Sequence, residues 1–147
     1  MQNRDLEIEL LLSLLNLKDS QNARLRATEL IRQRVDWQRL LELSLDQRVL
    51  PIVYTTLNKE FGGEVPPDEL TKFKKHYEAN AIRNAYLTGE LCRLLKLLES
   101  AGIEAIPYKG PALASQVLGD FRLEQFADLD VLIRKEDFKR VSGILVN

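Results

Sequence analysis

The sequence holds one cysteine, Cys92, one histidine, His76, and one tryptophan among its 147 residues. A single cysteine excludes an internal disulfide, and one cysteine with one histidine excludes a zinc site built from those ligands. A Ser-His-Asp or Cys-His catalytic pair would have to use His76. That residue sits in the charged run Lys72-Phe73-Lys74-Lys75-His76 and reads as part of a solvated helix face. Cys92, within Leu91-Cys92-Arg93-Leu94-Leu95, reads as a small buried side chain rather than a nucleophile. An excess of one charge is lacking too. The 21 basic and 22 acidic residues leave a net charge of -1, so no global field points to nucleic acid or to an anionic membrane. The longest apolar run, Leu10-Leu11-Leu12-Ser13-Leu14-Leu15, is far short of a bilayer span. The charged start Met1-Gln2-Asn3-Arg4-Asp5-Leu6-Glu7 does not have the form of a secretory signal. The expectation is a cytoplasmic protein without a membrane partner.

What is present is an ordinary globular composition, 45% hydrophobic and 29% charged, arranged first with helical periodicity. Leu6, Ile8, Leu10, Leu11, Leu14 and Leu15 form one apolar stripe. Asp19 and Ser20 can cap a second helix carrying Leu25, Leu30 and Ile31, and Asp36 can cap a third with Trp37, Leu40, Leu41 and Leu43. Pro51 suits the first turn of a fourth. After the break Phe61-Gly62-Gly63-Glu64-Val65-Pro66-Pro67, a long helix is predicted from Asp68 to about Ser100, ended by Ala101-Gly102.

The pattern changes at Gly102. Ile103 to Tyr108 reads as a short strand in which Pro107 marks an end or an edge. Lys109-Gly110-Pro111 turns into a helix from Ala112 to about Leu118. Ala127 to Ile133 reads as a second strand with Leu129, Val131 and Ile133 on one face and Leu132 continuing the other, so a buried sheet is expected, and Lys135-Glu136-Asp137 begins a last helix. The fold class is therefore α+β, mostly α: a helical N-terminal domain over residues 1–101, then strand-helix-strand-helix over 102–147.

Two features carry chemistry. Asp128 and Asp130, on one strand, would project to the same face, roughly 7 Å apart at the backbone. Two carboxylates so placed can share a hard divalent cation, and Mg2+ characteristically combines one or two carboxylates with substrate phosphates. The bland reading is a solvated strand end. Lys109-Gly110 lies at a strand-to-helix turn, where backbone N–H groups, a glycine's freedom and an ammonium charge suit a phosphate. By itself such a turn is only a turn.

Together, Lys109-Gly110-Pro111-Ala112-Leu113-Ala114, Gly119-Asp120 and Asp128-Leu129-Asp130-Val131-Leu132-Ile133 resemble the polymerase-β-like nucleotidyltransferase superfamily. More closely they resemble a family of uncharacterised nucleotidyltransferases, and Asp36-Trp37 with Arg48-Val49-Leu50-Pro51-Ile52-Val53-Tyr54 is similar to its N-terminal part. The resemblance implies that residues 102–147 begin a nucleotidyltransferase palm. It implies Asp128 and Asp130 as catalytic Mg2+ ligands, Lys109 and Gly110 as the phosphate-binding turn, a nucleoside triphosphate as substrate, and transfer of a nucleoside monophosphate to an acceptor hydroxyl of unknown identity.

Three departures accompany it. Lys-Gly-Pro replaces the usual Gly-Ser at the turn. Glu124 stands where an arginine is common, with Arg122 two residues earlier. The third carboxylate of such sites comes from a later strand, whereas Glu136 and Asp137 suit a helix start. The expectation is a chain that is inactive alone and, with a two-stranded sheet left short of partners, self-associates. The alternative is a silent palm remnant that binds a partner or regulates.

Overall fold

The computed structural model describes residues 5–17 and 20–146. Among them are seven α-helices and one two-stranded antiparallel sheet, so the chain is mostly α with a small β component, as the sequence predicts. The chain divides into two compact units, Met1–Asn80 and Ala81–Asn147, with one long helix running through the division.

The first unit contains α1 (Leu6–Leu15), α2 (Gln21–Ile31), α3 (Trp37–Asp46), α4 (Leu50–Phe61) and the first part of α5 (Pro67–Ser100). Ser20 caps α2 by accepting from the Ala23 N–H, and Asp36 caps α3 by accepting from the Arg39 N–H at 3.0 Å. The other capping residue expected for α2, Asp19, lies outside the described residues. The Asp36 N–H in turn donates to Glu7 Oε1 at 2.9 Å, so the almost fully buried Glu7 of α1 completes the start of α3. At the other end of α3, Arg48 adopts a left-handed φ of 57°, the Arg48 N–H donates to the Leu45 carbonyl, and the Val49 N–H reaches back to that of Ser44. This Schellman termination frees Val49 to lead into α4, whose first turn holds Pro51. The apolar stripes converge on one core in which Leu10, Leu14, Leu40, Leu50, Val53, Leu57 and Phe73 are all but inaccessible to solvent. Fully burying each such side chain contributes about 1.5–3 kcal/mol.

The second unit contains the remainder of α5, β1 (Ala105–Pro107), α6 (Pro111–Val117), β2 (Val131–Ile133) and α7 (Phe138–Val146). Gly102 ends α5 with φ 68°; the Gly102 N–H donates to the Glu99 carbonyl and the Ile103 N–H to that of Leu98, both at 2.9 Å. The chain then enters β1 over a small core of Leu98, Ile103 and Val141, flanked by Leu94, Ala105, Ile133 and Ile144. Arg140 of α7 ties this core together, donating to the Ala101 carbonyl at 2.6 Å and to Asp137 Oδ1 at 2.7 Å. Asp137 and Glu136 occupy a 3-10 turn at the start of α7, where acidic side chains face free N–H groups. Among the described residues no helix is long and apolar enough to cross a membrane.

Three expectations are corrected. The second strand is confined to Val131–Ile133, because after Tyr108 the chain of β1 turns away through Gly110 into α6 and offers no further partner; residues 127–130 approach β2 without being part of it. The sheet is not buried on both faces: Ile106 and Leu132 pair across the ladder but are 65% and 53% exposed, while Ala105, Val131 and Ile133 are half-buried. Cys92 is exposed, since the apolar positions turned inward on this part of α5 are Leu91, Leu94 and Leu98, and Cys92 falls on the other side of the helix. His76 is exposed, as expected.

Candidate functional site

The four residues that the sequence points to meet at one end of the sheet. Pro107 pairs with Val131, and the Tyr108 N–H donates to the Asp130 carbonyl at 2.9 Å, carrying the pairing one residue beyond the strands. Because the strands are antiparallel, the residues that leave β1 lie beside those that lead into β2. A parallel pair would have put them at opposite ends. The Lys109-Gly110 turn therefore sits against the Asp128-Leu129-Asp130 segment, although they lie 18 to 21 positions apart in sequence.

The contacts are specific. Lys109 Nζ lies 3.9 Å from Asp130 Oδ2, with both side chains about half exposed, and 5.5 Å from the centre of the Tyr108 ring. Gly110 has φ 65° and ψ -132°, a conformation that only glycine adopts without strain. A Cβ built on it would lie 3.7 Å from the Asp128 carbonyl oxygen and 3.7 Å from the Phe126 ring, which is ordinary contact. Gly110 is thus required by its backbone rather than by lack of space. Gly110→Ala is expected to lower the stability of this unit by about 1–3 kcal/mol in chemical denaturation, the usual cost of such a backbone conformation for a residue with a Cβ. Asp128 and Asp130 are exposed, flank Leu129 and belong to no strand, so strand alternation does not set their relation.

The connection between α6 and β2 is fastened from α5. Asn84, fully buried, donates through Nδ2 to the carbonyls of Phe121 and Glu124, both at 2.8 Å. Arg83 Nη2 donates to the Phe126 carbonyl at 3.3 Å. Within the connection, Asp120 caps the 3-10 turn Phe121–Leu123 through the Arg122 N–H and grips the Arg122 guanidinium by two parallel bonds of 2.9 and 2.7 Å. The hydrogen bonds from Arg122 hold the Asp120 carboxyl below the usual carboxylate range, against the opposing effect of burial. Arg122, a candidate stand-in for the arginine that Glu124 replaces, is therefore already engaged on its own loop.

Sequence reading passed over Arg83 and Asn84, because they sit in a long helix whose pattern reads as scaffold. The available signal was Asn84 itself: asparagine is a poor helix former, so one on the buried side of a helix needs partners elsewhere.

Two hard oxygen donors in an exposed segment suit Mg2+, which keeps waters and substrate phosphates in its remaining positions. Among the described residues no group of three or more His, Cys, Asp or Glu side chains is placed to hold a metal ion.

Comparison with protein families supplies the class, that of the nucleotidyltransferases. Residues 33–147 match the family model described as "Uncharacterised nucleotidyltransferase", and the chain belongs to this family. No curated protein and no solved structure matches it.

Proposed function

We propose that the end of the sheet formed by Lys109, Gly110, Asp128 and Asp130 binds a Mg2+–nucleoside triphosphate for nucleotidyl transfer to an acceptor hydroxyl. The observation that carries this reading is the antiparallel pairing, which sets a cationic glycine turn beside Asp130 and the backbone of Asp128, two exposed aspartates, in a chain of this family. Asp128 and Asp130 would hold the metal, which when bound stabilises negative charge on phosphate oxygens and on the attacking and leaving oxygens. Gly110 lets the backbone turn sharply enough to present the N–H groups of Ala112 and Leu113, which have no partner earlier in their own helix, toward a phosphate. Pro111 contributes none. The Lys109 ammonium, held close by Asp130, offsets phosphate charge by a small swing of a half-exposed side chain.

One observation favours a second reading. The Lys109–Asp130 pair already neutralises part of the acidic segment, as it would in a palm that binds a partner without catalysis. Titrating Mg-ATP and Mg-GTP by calorimetry into the unsubstituted chain and into Lys109→Ala separates the two. On the catalytic reading Lys109→Ala weakens nucleotide binding while stability moves by no more than about 0.5 kcal/mol, as for an exposed ion pair. No binding to either protein, with a clear loss of stability in the variant, would leave the partner-binding reading.

A further inference from the structure

The buried amide of Asn84 has a structural position that its helix does not need. Both of its donors point to backbone carbonyls of the α6–β2 connection, at Phe121 and Glu124, 37 and 40 residues away in sequence. Its neighbour Arg83 donates to a third carbonyl of the same connection, that of Phe126. The Phe126 ring is almost fully buried and lies in contact distance of a Cβ position on Gly110, where the Asp128 carbonyl also lies. A continuous path therefore runs from α5, through three carbonyls, to both halves of the candidate site. The one regular element of the connection is a three-residue 3-10 turn, and Ala127, Asp128 and Asp130 are exposed.

We propose that Arg83 and Asn84 are positioning residues, a clamp on residues 121–126 that sets Asp128 and Asp130 against the Lys109-Gly110 turn. The proposal rests on the reading of that site as a Mg2+–nucleotide site. A rigid rod such as α5 is well suited to this task, because a loop fastened at three successive points to one helix can neither twist nor slide. Metal ligands depend on such support: removing a partner that orients a ligand typically costs about 10- to 100-fold in metal affinity or activity.

The test uses the full chain with Asn84→Ser, Asn84→Ala, Arg83→Ala and Arg83→Lys. Val141→Ala, in the small core away from the connection, serves as a control for general loss of stability. Two measurements are made below the melting transition: amide hydrogen exchange by mass spectrometry, and Mg-ATP binding by calorimetry. The expected result is faster exchange over residues 121–130 and about 10- to 100-fold weaker Mg-ATP binding for both Asn84 variants. Arg83→Ala should give a smaller change in the same segment, and Arg83→Lys, which keeps a donor, should restore most of it. Val141→Ala should leave binding unchanged at a comparable loss of melting temperature. Should an Asn84 variant not fold, the exposed Arg83 pair answers alone. Unchanged exchange over 121–130, or faster exchange with unchanged Mg-ATP affinity, overturns the clamp. Absence of Mg-ATP binding in the unsubstituted chain overturns the nucleotide reading and the clamp's role with it. That result is visible before any variant is made and is not confused with failure of the clamp alone.

Discussion

Replacing Asp128 and Asp130 together by asparagine is expected to remove Mg2+-dependent nucleotide binding while leaving the fold intact. Asparagine keeps the size and the carbonyl oxygen of aspartate but not its charge, and Mg2+ selects charged oxygen donors. Both side chains are exposed, and Lys109, which pairs with Asp130, is itself about half exposed, so the substitution leaves no buried charge unpaired. The stability change should fall within about 0.5 kcal/mol, as for most surface substitutions. Binding of Mg-ATP should fall by at least about 100-fold, the upper end of what removal of a supporting residue alone produces at metal sites. The single variants should divide the effect unequally. Asp130 is tied to the ladder through its carbonyl and faces Lys109, so Asp130→Asn also frees the ammonium and should partly offset the loss by favouring phosphate. Calorimetric titration with and without Mg2+, beside thermal melting by circular dichroism, measures both quantities. Superimposable isotherms for the double variant and the unsubstituted chain would remove these residues from the metal site.

The largest effect on stability is expected at Phe73. This side chain is completely buried in the first unit, within the core formed by α1 to α4 and the start of α5. Phe73→Ala leaves a cavity that its neighbours, Leu and Val side chains already in contact, can fill only partly, and such truncations cost about 3–5 kcal/mol. Against a total stability of about 5–15 kcal/mol for a domain, that is enough to unfold a large fraction of the molecules near body temperature. Trp37, the chain's single tryptophan, packs against the same core and reports on this unit by fluorescence. Urea denaturation followed at Trp37 should show a midpoint shifted sharply downward. A loss below about 1 kcal/mol, a value typical of surface or tolerant positions, would mean that the core can collapse around the missing ring.

The helices were legible because their signals are local. The stripe of Leu6 to Leu15, the cap at Asp36, the proline at position 51 and the glycine at 102 each act within a turn of where they stand. The site was legible as residue types but not as geometry. Lys109 and Gly110 meet Asp128 and Asp130 only because β1 and β2 run antiparallel, and a strand-helix-strand order does not by itself fix that direction. The second strand was read too long because Ala127, Leu129 and Val131 continue an apolar alternation, whereas strand length is set by what the partner strand offers, and after Tyr108 that strand turns away through Gly110 into α6. Cys92 misled for the same kind of reason. Its neighbours Leu91, Leu94 and Leu95 are apolar, but burial follows the helix face rather than the neighbourhood in sequence. Asn84 was missed because its partners lie about forty positions away, a separation that no window of periodicity spans.

The antiparallel ladder also settles how freely the chain length between the two halves of the site can vary. Lys109 and Asp130 are held in register by the pairing of β1 with β2 and by the Tyr108–Asp130 bond, and residues 121–126 by Arg83 and Asn84, so none of them depends on the length of chain around Gly119. That stretch bends at Gly119, which is exposed, and nothing lies near enough to touch an added side chain there. Since closing a loop twice as long costs only about 0.6 kcal/mol more, residues could be gained or lost at this tip over evolutionary time with the carboxylates and the glycine turn left in place. The spacing between Lys109 and Asp128 is therefore a poor ruler for recognising relatives of this chain. The short segments on either side of the ladder, each read with its own strand, are the better one.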